Sequence, residues 1–130
     1  MPDGATLSEP RPMLKDWPAL ARDYLGPLRE LRGGAPEAMK AFSALAQAAV
    51  KPGALDTKTK ELVALGISVA IRCDPCVAFH AEAAAKQGAT RAEVLETVAT
   101  AIYMGAGPAA MYAAATLEAF DQFVARQQAG

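Results

Sequence analysis

Nowhere in these 130 residues do β-branched and polar side chains alternate, so the sequence offers no half-buried strand. Alanine and other helix formers dominate, and the chain reads as all-α. Basic patches are missing too. Thirteen Lys and Arg against fourteen Asp and Glu give a formal net charge of -1, with both signs scattered. That pattern speaks against nucleic acid and against an anionic membrane as partners. No apolar run is long enough to span a bilayer, and the opening MPDGATLSEPRP has acidic and proline residues where a secretory signal needs a basic start and an apolar centre. A cytoplasmic protein is expected. Cysteine is scarce, at two, and histidine scarcer, at one. All three fall in the stretch from Glu61 to His80, ELVALGISVAIRCDPCVAFH.

Residues 1–12 carry Pro2, Gly4, Pro10 and Pro12 with few large apolar groups and read as a flexible tail. Residues 13–130 are then one domain, a bundle of about six helices with chain enough to bury its own core. Asp16 caps the first helix, with Pro18 in its first turn and Trp17, Leu20, Tyr24 and Leu28 at helical spacing. Gly26 and Pro27 are expected to break or kink it before Gly33 and Gly34 stop it. Pro36 opens a second helix to about Val50, with Met39, Phe42, Leu45 and Ala46 facing inward. Asp56 caps a third, apolar from Leu62 to Ile71 and so expected to be buried on most sides. For the fourth, Asp74 is the expected N-cap, Pro75 the first residue and Gly88 the stop. Thr90 and Glu93 form a capping-box pattern for a fifth helix, whose Val94, Leu95, Val98, Ile102 and Tyr103 face inward up to Gly105 and Gly107. Pro108 opens a sixth, with Met111, Leu117, Phe120 and Phe123 as its apolar positions.

The spacing of Cys73 and Cys76 lets two thiols close a small disulfide ring or share a metal, and in a reducing compartment such a pair is more often one of these than a structural staple. Thiolate, not thiol, attacks a disulfide or a peroxide. Cys76 falls in a first helical turn, where the helix dipole favours negative charge, which makes it the nucleophile and Cys73 its resolving partner. His80, four residues on, shares the face of Cys76 and can take its proton. Glu61 would orient His80. With only Arg72 and Cys73 between the third and fourth helices, the fourth folds back on the third. His80 then lies about 9 Å and Glu61 about 15 Å from the turn, a gap of about 6 Å along the axis that side chains or a water can bridge. Asp74, between the cysteines, opposes thiolate formation, with Arg72 beside it as an offset. Two thiolates, an imidazole and a carboxylate are also an acceptable zinc ligand set, so a metal-binding or purely structural helical module is the alternative of a different class. A thioredoxin-like reading fails for want of strands.

Glu61, eleven residues, Cys73, two residues, Cys76, three residues and His80, together with the G-A-T-x-x-E-V run from Gly88 to Val94, resemble the alkyl hydroperoxidase D-like group of the carboxymuconolactone decarboxylase superfamily. The likeness extends from about Asp56 to Tyr103. It implies an all-helical fold, assembly into trimers or hexamers, and a dithiol that reduces hydroperoxides or shuttles electrons, often from an external lipoamide-type donor to a peroxiredoxin, with no bound cofactor. It also implies that Cys76 attacks peroxide, Cys73 closes the disulfide, and His80 and Glu61 relay the proton. Pro75 stands where the best studied branch has a second histidine, and the two-lobed members' N-terminal repeat is missing. The decarboxylase branch lacks the dithiol, so Cys73 and Cys76 argue against lactone decarboxylation. Tyr103, Met104, Met111 and Tyr112, among alanines, supply either core or an apolar surface for assembly.

Overall fold

Each helix start in the molecule has a local chemical cause. Asp16 accepts a hydrogen bond from the Ala19 N–H at 3.0 Å and Pro18 presets the first turn of α1 (Trp17–Gly34). The computed structural model describes residues 11–130, so the tail expected over residues 1–12 lies almost wholly outside the described residues; Arg11 and Pro12 are exposed. α1 passes through Pro27 without ending. Gly26 explains this, because the clash that normally bars helical backbone before a proline involves the Cβ that glycine lacks. α2 (Pro36–Val50) begins on Pro36 and buries no residue at all. Phe42 and Leu45, expected to face inward, are 61% and 64% exposed, and Tyr24 of α1 is exposed as well. None of the described residues is laid over that side of α2.

α3 (Thr57–Ile71) starts at Asp56, whose carboxylate accepts from the Thr59 N–H at 2.8 Å. It buries Glu61, Leu65, Ser68 and Val69, one face at i, i+4, i+7 and i+8. Burial on most sides does not occur: Val63, Ile67 and Ile71 form a second stripe that points outward. Arg72 then turns left-handed (φ 60°), and the Cys73 N–H bonds back to the Ser68 carbonyl at 3.1 Å, which closes α3 and reverses the chain within two residues. α4 (Asp74–Lys86) returns along α3 and buries Val77, Ala78, Ala81, Ala84 and Ala85, small side chains that let the two backbones approach closely. Gly88, with φ of +81°, makes the turn out of it.

α5 (Arg91–Ala129) opens on the capping box of Thr90 and Glu93 and runs through what the sequence divides into two helices, so the described residues form five helices rather than six. The division survives as a kink. Ala106 sits at φ 58°, ψ -143°, and Pro108 in the next turn has the preset backbone to restart the helix at once, leaving no room for a loop. Val94, Val98 and Ala101 are buried before the kink, and Ala109, Ala113, Thr116, Phe120 and Phe123 after it. Leu95 and Tyr103, expected to face inward, are exposed, and so is Met111, which the sequence left open between core and surface. α5 packs on α3 and α4, with Trp17 sealing the end of the core.

Candidate functional site

The reversal between α3 and α4 puts the two cysteines at the start of a helix. Cys73, not Asp74, is the N-cap: its sulfur accepts the Cys76 N–H at 3.3 Å, while Asp74 and Pro75 fill the first two helical positions. A sulfur serves here because Cys73 alone has the extended backbone that a cap requires (φ -108°, ψ 101°). Cys73 and Cys76 are joined as a disulfide, with their Cα atoms 5.2 Å apart, and both are half-buried.

One turn beyond Cys76, His80 meets α3. Its Nδ1 lies 2.8 Å from Oε1 of Glu61, so the residues at sequence positions 61 and 80 bond directly and no bridging water is needed. Glu61 is only 8% exposed, and this contact gives the buried carboxylate its partner. A carboxylate can only accept, so Nδ1 carries the hydrogen and Nε2 of a neutral His80 is left with its lone pair as the proton acceptor. The structure thus brings Glu61 and His80 together across α3 and α4, and joins Cys73 to Cys76 at the start of α4. Among the described residues no group of three or more His, Cys, Asp or Glu side chains is gathered to hold a metal ion, and the sulfurs are engaged with each other.

Asp74 has neighbours that the sequence does not announce. Its Oδ1 accepts from the Tyr112 hydroxyl at 2.6 Å, and its Oδ2 pairs with the Lys15 ammonium. The Lys15 and Tyr112 bonds hold the Asp74 carboxyl below the ordinary carboxylate range, and the hydrogen bond to Asp74 in turn pushes the Tyr112 hydroxyl up. Arg72, the offset suggested by the sequence, is exposed and makes no ion pair among the described residues. Lys15 and Tyr112 are 59 and 38 residues from Asp74, and neither belongs to a local pattern that could have flagged it.

Five helices without a strand among the described residues, carrying a C-x-x-C at a helix start beside a bonded His–Glu pair, define a helical dithiol protein. Comparison with known proteins places it more closely. Residues 36–119 match the model of the carboxymuconolactone decarboxylase family, and the chain belongs to that family. A family member from Legionella pneumophila, solved as a crystal structure, is 49% identical, covering 83% of this chain and 96% of its own, with a TM-score of 0.81. A Thermotoga maritima family member, described as having a suggested part in an antioxidative response, is 29% identical over 71% of this chain and 95% of its own, with a TM-score of 0.66. An uncharacterised protein of Haemophilus influenzae is 41% identical over 109 residues, 84% of this chain and 96% of that one.

Proposed function

We propose that the protein is a thiol-dependent oxidoreductase of the alkyl hydroperoxidase D-like kind, reducing a hydroperoxide or a partner's disulfide with its Cys73/Cys76 dithiol. The observation that carries this reading is the C-x-x-C at a helix start on the same helix face as a histidine already bonded to a carboxylate. The antioxidative role suggested for the Thermotoga relative supports it.

In the reduced enzyme Nε2 of His80 accepts the Cys76 proton, and the imidazolium is stabilised by Glu61. The Cys76 thiolate attacks one peroxide oxygen; the O–O bond breaks and the leaving alkoxide takes the proton from His80 and departs as an alcohol. Cys73 then attacks the Cys76 sulfenic acid, releasing water and forming the disulfide. An external dithiol of lipoamide type returns two electrons and two protons, either for peroxide directly or on the way to a peroxiredoxin. No resident cofactor is needed. The protein works in the cytoplasm as a trimer or hexamer, without nucleic acid or membrane as partner; among the described residues no helix is long and apolar enough to cross a membrane.

The test is consumption of an organic hydroperoxide with dihydrolipoamide as reductant. Cys76→Ser is expected to abolish turnover, and His80→Ala to lower it by about 10²- to 10⁴-fold, the usual worth of a general base. Wild type that neither consumes peroxide nor loses its two thiols on mild oxidation would end the redox reading in favour of a structural module.

A further inference from the structure

The disulfide loop contains a carboxylate, and the fold goes to some length to answer it. Asp74 lies between the two cysteines and is fixed by the Tyr112 hydroxyl, so its charge cannot swing away from the motif. Its counter-charge comes from outside the helices. Residues 13–16 are laid along α5, where the N–H groups of Leu14 and Lys15 donate to the Glu118 carboxylate at 2.8 and 3.1 Å, and the Lys15 carbonyl accepts from Gln122 Nε2 at 2.8 Å. The backbone of this exposed lysine is therefore held on both sides. Its ammonium also lies 5.3 Å from the centroid of the Trp17 ring, and Trp17 is itself anchored by Nε1 to Glu118 at 3.0 Å.

We infer that Lys15 is a positioning residue that acts through Asp74: by offsetting the one carboxylate inside the disulfide loop, it keeps the Cys76 thiol acidic enough to react once the disulfide is reduced. The inference rests on the nucleophilic role proposed above for Cys76. The titratable groups brought to this turn are Asp74 and His80 on α4, Glu61 on α3, Arg72 in the turn, Tyr112 and Glu118 on α5, and Lys15. Glu118 is occupied by three N–H donors and Glu61 by His80. Asp74 is thus the group that works against a thiolate, and Lys15 is the cation paired with it. A device of this kind puts the reactivity of the motif under the control of a segment that docks from elsewhere in the chain.

The test is the pH dependence of iodoacetamide alkylation of the reduced full-length protein, resolved to Cys76 by mass spectrometry. Lys15→Gln should move the midpoint up by about half to one unit, slowing alkylation about three- to tenfold below the midpoint, and Lys15→Arg should restore it. Asp74→Asn should move it down, and the double variant should lie close to wild type. A merely structural role would change the melting temperature without opposite-signed midpoints. Unmoved midpoints, or shifts in the same direction, would overturn the inference, and the Lys15→Gln and Lys15→Arg pair decides it alone if Asp74→Asn does not fold. Alkylation needs neither peroxide nor electron donor. Shifted thiols in an enzyme inert to peroxide would therefore remove the proposed function only, whereas turnover with unmoved thiols would remove this inference only.

Discussion

A buried carboxylate needs a partner, and in this protein the two acidic side chains nearest the cysteines have found very different ones. Glu61 bonds to an imidazole, and in the proposed mechanism its charge would steady a proton moving on and off His80. Asp74 is clamped between a hydroxyl and an ammonium, which fixes a charge rather than moving one. Asp74 should be visible in acid. Its carboxyl titrates below the ordinary value of 3.8 in the folded protein, so the unfolded chain binds more protons in that window. The stability it contributes is complete above the unfolded value and is lost as pH falls through the folded one. Asp74→Asn should accordingly flatten the decline of the urea midpoint between about pH 5 and pH 3, and an unchanged acid limb would mean that the Lys15 and Tyr112 contacts add nothing. At this scale the residues of the proposed site could be picked out together, since Glu61, Cys73, Cys76 and His80 sit in one stretch, and the fold pairs Cys73 with Cys76 and Glu61 with His80. Lys15 and Tyr112 were not legible, because an ion pair across 59 residues and a hydrogen bond across 38 leave no local pattern.

The elements were legible through their ends more than through their faces. Asp16, Asp56 and the Thr90–Glu93 box cap helices where the sequence places them, because capping is settled within four residues. The cap of α4 went to Cys73 because that choice depends on where the turn leaves its extended residue. Gly105, Gly107 and Pro108 mark a boundary correctly, yet the left-handed conformation falls on Ala106, the residue between the glycines. That alanine occupies backbone space used almost only by glycine. Ala106→Gly should therefore stabilise the protein by about 1 kcal/mol, read as a higher urea midpoint at unchanged slope, and a loss of stability would show that the kink is relaxed as it stands. Gly105→Ala should do the opposite, since a Cβ there would lie 2.6 Å from the Cβ of buried Ala109.

At the scale of the molecule, the helical faces that the sequence could not assign turn out to be apolar and uncovered. Ile67 is 54% exposed, Met104 74% and Tyr103 85%, and Val63, Gly66, Ile67 and Met104 line an open groove of about 450 Å³ between α3 and α5. Phe42 and Leu45 on α2 are exposed as well, and large apolar side chains grouped at the surface are a common mark of an interaction site. This surface is the physical support for the proposed trimer or hexamer. The wild type should sediment at three or six times 13.5 kDa, and Ile67→Glu should lower that mass while leaving helicity and the disulfide intact. A wild type that is monomeric at every loading concentration would remove the assembly. Hydropathy alone could not separate these stripes from core, because α3 carries two apolar faces and only the fold decides which one is covered. The attachment of the N-terminal segment has a consequence in time. Trp17 and Glu118 are 101 residues apart, so at a ribosomal pace of about 5–20 residues per second the segment waits some 5–20 seconds for its anchor. For the last 42 residues of that wait, about 2–8 seconds, the newly made cysteines already exist while the lysine proposed to govern them has nowhere to dock.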